Sequence, residues 1–139
     1  MSDKEGVQLA KDSIDLGIVV RDKDAALRFY RDTLGLPQIG EQPVGNGGVM
    51  VRLACGSSHI KIWTGTAPAL TAAPGGPNGG ATGNRYWTIH IKNLKAMVAR
   101  CKAAGYELPW DIREIRPGVS VAMVVDPDGN WVELLEMSA

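Results

Sequence analysis

The chain carries an internal repeat, and that repeat limits its fold more than any other feature. The segment I-D-L-G-I-V-V-R-D-K-D-A-A from Ile14 lies over R-Y-W-T-I-H-I-K-N-L-K-A-M from Arg85, its apolar alternation matched position for position at an offset of 71 residues. Period-two alternation predicts a strand in each copy. Asp22 and Asn93 follow as residue types that cap helices, and Gly35 and Gly105 stand where helices ending at Leu34 and Ala104 would stop. Leu94, Met97, Val98 and Cys101 are spaced i, i+3, i+4, i+7, a stripe that packs on a sheet. Three strand-like runs come after each helix: 37–42, 48–54 and 58–63 in the first copy, 106–114, 119–125 and 131–136 in the second. Ile60-Lys61-Ile62 lies over Val132-Glu133-Leu134 at an offset of 72. The pattern predicts an α+β protein of two tandem βαβββ modules.

The expected organisation is an N-terminal arm (1–13), a first module (14–63), a linker or flap (64–84) and a second module (85–139), together one domain. Glycine and proline are so dense over 64–84 that neither helix nor regular strand is expected there. With 139 residues, 45% of them hydrophobic, the chain can bury a core without disulfides or metal. Its 15 Lys and Arg balance 15 Asp and Glu, so no net field draws it to nucleic acid or to an anionic membrane. Small molecules and a second copy of the chain are the expected partners. Two cysteines are too few for a secreted-type disulfide framework, and Cys101 on an apolar helix face reads as a buried thiol. Without an apolar leader or an 18-residue apolar run, a cytoplasmic protein is expected.

The most informative local motif is D-P-D-G-N-W-V-E-L-L, from Asp126 to Leu135. A tight turn delivers Glu133 into a two-faced strand, where a carboxylate is costly to bury unless it faces a cavity or a partner. This motif, R-F-Y-R-D-T-L-G-L (28–36) and the duplication together resemble the vicinal oxygen chelate superfamily of glyoxalases, bleomycin and fosfomycin resistance proteins and extradiol dioxygenases. The resemblance covers Ile14 to Glu136 and implies the glyoxalase-like fold, in which the two modules form a curved mixed sheet around a cavity. It also implies four inward positions, two from each module, that commonly ligate a metal. Carried over, these are Asp15, Lys61, Tyr86 and Glu133, of which only Glu133 keeps the usual type. A protonated ammonium cannot ligate a cation, so neither a metal nor another cofactor is expected.

Alternation adds His59 and Trp63 beside Lys61, Thr88 and His90 after Tyr86, and Trp131 beside Glu133 as candidate substrate-binding residues. Their neighbours Leu16, Ile18, Val20, Ile60, Ile62, Trp87, Ile89, Ile91, Val132 and Leu134 are expected under the helices. The leading expectation is metal-independent proton transfer on a partly apolar carbonyl compound, by an isomerase, epimerase or lyase. Glu133 would be the base, Lys61 and Tyr86 would stabilise the developing oxyanion, and Asp15 would position Lys61 or act as a second base. One alternative is a non-catalytic drug- or metabolite-binding protein of the bleomycin-resistance type. Another is a metal enzyme with displaced ligands, His59 and His90 joining Glu133. Arg52, Arg113 and Arg116 are candidate anchors for a ligand carboxylate or phosphate.

Overall fold

The computed structural model describes residues 6–45, 47–65 and 75–138. Residues 6–15 have no helix or strand, and residues 1–5 of the arm and 66–74 of the linker lie outside the described residues. The first module runs β1 (Leu16–Val19), α1 (Lys23–Leu27), β2 (Gln38–Val44), β3 (Gly48–Cys55) and β4 (Ser58–Thr64). The second runs β5 (Tyr86–His90), α2 (Leu94–Ala103), β6 (Trp110–Arg116), β7 (Val119–Val125) and β8 (Trp131–Met137). Each module folds its own four-stranded sheet, in the orders β1-β4-β3-β2 and β5-β8-β7-β6. In both, the first strand pairs parallel with the last and the other pairings are antiparallel. The repeat is therefore a repeat of topology: Ile18 stands beside Ile62 as Ile89 stands beside Leu134.

The first helix departs from the simple expectation. It continues from α1 as a π-helical segment, Arg28–Thr33, in which Leu34 N–H donates to Phe29 O at 2.9 Å and the Thr33 hydroxyl to Arg28 O at 2.7 Å. The wider turn accompanies two fully buried rings, Phe29 and Tyr30, and ends at Gly35, whose φ of 81° is left-handed. Asp22 caps α1 as expected, its carboxylate accepting from Asp24 N and Ala25 N. Asn93 makes no side-chain cap on α2. Glu136 of β8 supplies the acceptor instead, taking the Leu94 N–H at 2.8 Å. The run expected from 106 begins as strand only at Trp110, after Pro109, which has no N–H to give a ladder.

Ile18, Val20, Ile60, Ile62, Val132 and Leu134 are buried under the helices, with Leu16, Trp87, Ile89 and Ile91 packed against them, as the alternation requires. One hydrophobic cluster spans both modules and includes Met97, Val98 and Cys101 of α2. Phe29 meets Tyr106 edge-on at 4.8 Å and Tyr30 stacks on Trp87 at 6.3 Å, so first-module rings pack into the second module. Polar contacts fasten the same seam. Tyr30 donates its hydroxyl to Asp126 at 2.6 Å, Arg21 Nε pairs with Asp128 at 2.6 Å, and Arg100 reaches Thr33 O at 3.3 Å.

Candidate functional site

With the helix-side faces of the sheets committed to the core, the opposite faces carry the polar residues. In the second sheet the D-P-D-G-N turn sets this up. Asp126 is buried and accepts hydrogen bonds from Asp128 N, Asn130 N and Asn130 Nδ2 as well as from Tyr30. Gly129 supplies the left-handed turn residue (φ 90°), and the chain enters β8 with Trp131, Glu133 and Leu135 on the outer face. Parallel register places Thr88 directly beside Glu133, and the Thr88 hydroxyl donates to Glu133 Oε1 at 2.6 Å. Tyr86 stands beside Trp131 and His90 beside Leu135, both more exposed than Thr88. On the other flank Met123 is opposite Glu133 and Val121 opposite Leu135, both fully buried, giving the face an apolar floor. Trp110 stands opposite Met123, and the Arg113 guanidinium lies 4.2 Å over its ring.

Trp131 is not a free platform. Gly75 and Gly76, the first described residues after 66–74, lie across its indole, and a Cβ on Gly76 would stand 2.8 Å from three ring atoms. Gly76 N–H donates to Arg85 O at 2.9 Å, so the end of the linker is pinned to the second sheet at this point.

In the first sheet the outer face holds Gly17 and Val19 from β1, His59, Lys61 and Trp63 from β4, and Met50 and Arg52 from β3. Lys61 is half-buried, between Gly17 and Arg52. Asp15 stands just before β1, exposed, and accepts from Lys11 Nζ at 2.7 Å and from His59 N at 2.8 Å. These two donors hold its carboxyl down at about 2, the Lys11 bond first.

Asp15, Lys61, Tyr86 and Glu133 therefore occupy two sheets, and among the described residues no hydrogen bond or ion pair joins any two of them. The register sets Gly17 beside Lys61 and Thr88 beside Glu133, while Asp15 and Tyr86 lie two positions earlier along their strands. Thr88, expected only as a contact residue, is thus the direct partner of Glu133. Arg52, beside Lys61, and Met123, beside Glu133, belong to the same rows. Alternation alone gives their parity, but their place depends on strand order.

The metal that the fold implies does not fit these residues. The two adjacent pairs offer a glycine with an ammonium and a hydroxyl with a carboxylate, which makes one strong oxygen donor in all. Among the described residues no group of three or more His, Cys, Asp and Glu could hold a metal ion, and this includes His59 and His90 with Glu133.

Comparison with known proteins agrees with this architecture. No curated protein matches the chain by sequence. Among solved structures, a glyoxalase family protein from Bacillus cereus superposes with a TM-score of 0.78 at 20% identity, over 95% of this chain and 100% of that one. An antibiotic binding protein, TnmS3 from Streptomyces sp. CB03234, gives 0.64 at 20% identity over 94% and 100%. A genomically encoded fosfomycin resistance protein from Listeria monocytogenes gives 0.71 at 16% identity over 91% and 93%. At such identities these likenesses establish the fold. The model of one family matches residues 13–134, nearly the whole chain, and the protein belongs to that family, the Glyoxalase/Bleomycin resistance protein/Dioxygenase superfamily.

Proposed function

We propose that the chain is a small-molecule binding protein whose second sheet receives a partly apolar, aromatic organic ligand. The observation that carries this reading is the Thr88 to Glu133 hydrogen bond of 2.6 Å on the outer face. It orients the carboxylate and leaves Oε2 without a partner among the described residues, as an acceptor for a ligand N–H or O–H. Tyr86, Trp110, Met123 and Leu135 supply the apolar surroundings that such sites use, with few polar groups to fix orientation. The likeness to an antibiotic binding protein of the same fold supports sequestration. Proton transfer would enlist Lys61 to stabilise an oxyanion, and among the described residues no hydrogen bond or ion pair joins Lys61 to Glu133, so we favour binding.

Proton transfer is the second reading. It is favoured by the same carboxylate, which is held by a hydroxyl and not neutralised by a cation, as a general base must be. The proposal includes self-association, since Ile39 on β2 and Ile112 and Ile115 on β6 are exposed along outer strands. It also includes a cytoplasmic setting, which two free cysteines suit. No described helix is long and apolar enough to cross a membrane.

A thermal-shift screen of aromatic amines and phenols tests the binding reading, with Glu133→Gln as the control. Saturable binding that weakens about tenfold in Glu133→Gln is expected, the usual effect of losing one charged hydrogen-bond acceptor. Deuterium exchange at the α-carbon of a carbonyl ligand, lost in Glu133→Gln, would replace sequestration with catalysis.

A further inference from the structure

The linker leaves Trp131 through a turn, G-P-N-G-G, over residues 76–80. Gly76 is buried against the indole and tied to Arg85 O at 2.9 Å, whereas Pro77, Asn78, Gly79 and Gly80 are all exposed. Among the described residues neither the Asn78 amide nor the Gly79 N–H has a hydrogen-bond partner. An asparagine before a glycine is chemically unstable in such a place. The following backbone nitrogen can attack the side-chain carbonyl carbon and close a five-membered ring, and glycine has no Cβ to obstruct the approach or to restrict the backbone rotation it needs. Gly80 continues the turn at a left-handed φ of 77°, with open space where a Cβ would stand, so two residues without side chains follow the amide.

The other described places where such a ring could close are held. Asp128-Gly129 has the same spacing, but Arg21 N and Nε grip the carboxylate, and the Gly129 N–H donates to Asp126 O at 3.1 Å. The Asn130 amide donates to Asp126 and is followed by the bulky Trp131. Asn93 is followed by Leu94, whose N–H is taken by Glu136, and Asn84 by Arg85. Asn46, before Gly47, lies outside the described residues.

We infer that Asn78 is a site of spontaneous modification, at which the turn beyond Trp131 changes from neutral to anionic through a succinimide. The Gly79 nitrogen gives its proton to water or hydroxide and bonds to Asn78 Cγ; the bond from Cγ to Nδ2 breaks, and the amide nitrogen takes up a proton and leaves as ammonia. Water then opens the ring at one of its two carbonyls. One opening gives an aspartyl residue, and the other gives an isoaspartyl linkage in which the main chain runs through the side-chain carbonyl. Nothing is oxidised or reduced. The chain, with a formal net charge of zero at pH 7, gains one negative charge, two residues beyond the backbone that lies on Trp131. This site is independent of the function proposed above.

Peptide mapping by mass spectrometry tests it, on the folded wild-type chain, the same chain unfolded in guanidinium, Gly79→Ala and Asn78→Gln, all incubated at mildly alkaline pH in water enriched in oxygen-18. In the folded wild type the tryptic peptide 62–85 accumulates both aspartyl and isoaspartyl forms at position 78, labelled with solvent oxygen, while Asn46 is followed separately on peptide 32–52. Conversion at 78 is as fast in the folded chain as in the unfolded one, because no contact in the fold holds the amide, whereas 128–129 isomerises only in guanidinium. At mildly acidic pH the conversion slows, since the Gly79 nitrogen must lose its proton. Gly79→Ala and Asn78→Gln lose the conversion over the same period and keep the wild-type Tm, as substitutions at exposed positions do. An Asn78 that stays intact in the folded chain while the unfolded chain converts overturns the inference, because the fold would then shield the amide. So does an aspartyl product without the isoaspartyl form, which would mean direct attack of water on the side chain.

Discussion

Breaking the bond between Tyr30 and Asp126 gives a direct measure of what joins the two modules. The phenol is fully buried and 2.6 Å from Oδ2, while the carboxylate also accepts from two backbone N–H groups and the Asn130 amide. Tyr30→Phe keeps the ring and its packing, and Asp126 keeps three donors. The loss should be that of one hydrogen bond to a charged group, about 1–2 kcal/mol. For a chain of this size that lowers Tm by about 3–8 °C. Asp126→Ala orphans several donors at about 1–3 kcal/mol each, some of them regained by water, for a total of about 3–4 kcal/mol. In the Tyr30→Phe background the same change costs less, because no phenol is left stranded, and the coupling should be about 1–2 kcal/mol. Urea denaturation at neutral pH, with unchanged slope across the four proteins, measures it. A coupling below about 0.5 kcal/mol would show that the two sites behave independently, and this bond would not be what joins the modules. The pH dependence has a definite sign. Burial first, and then the Asp126 carboxylate, push the Tyr30 phenol well above its ordinary 10. The folded state therefore holds the proton when the unfolded chain loses it. This contribution is intact below about pH 10 and is lost as pH rises further, and Tyr30→Phe should flatten that alkaline limb.

Glu136→Ala removes the acceptor for the first N–H of α2 and should cost about 1 kcal/mol, the usual value of a helix cap, whereas Asn93→Ala should cost little; urea midpoints of the two decide. Gly76→Ala forces a Cβ into the Trp131 indole at a left-handed φ of 79°, so it should cost about 1–3 kcal/mol and alter tryptophan fluorescence; an unchanged spectrum and Tm would show that the linker end does not hold that ring. Asp15, held near 2 against an ordinary 3.8, favours the folded chain above pH 3.8 and loses that contribution as pH falls toward 2. Lys11→Met should move the Asp15 titration upward in an NMR titration, and an unmoved carboxyl would disprove the pairing.

The fold was legible because period two and the 71–72 residue offsets both report backbone geometry, which each module builds locally. Ile18 and Ile89, or Ile62 and Leu134, had to be on one face whatever else happened. Three features were not legible, for one shared reason. The π-helical turn at Arg28–Thr33 sits where Tyr30 reaches Asp126, 96 positions away in sequence. The cap of α2 comes from Glu136, 42 positions away, and not from the adjacent Asn93. The partners of Lys61 and Glu133 are set by parallel register between a first and a last strand. Comparing the repeats aligns Asp15 with Tyr86 and Gly17 with Thr88, but it cannot say which of each pair stands beside the last strand.

That register also gives the duplication its chemical meaning. Lys61 and Glu133 are equivalent positions in equivalent strands, each beside the first strand of its own sheet, yet one is a cation and the other an anion. Their row partners have diverged with them. Beside the cation stand Gly17 and Arg52, which leave room and add charge; beside the anion stand Thr88 and Met123, which fill space and donate a single hydrogen bond. A divalent metal would need donors of one kind from both modules, and this chain has opposite kinds. Two sheets with one backbone plan therefore present opposite charges at equivalent positions, so what the duplication preserves is the backbone and not the chemistry it carries.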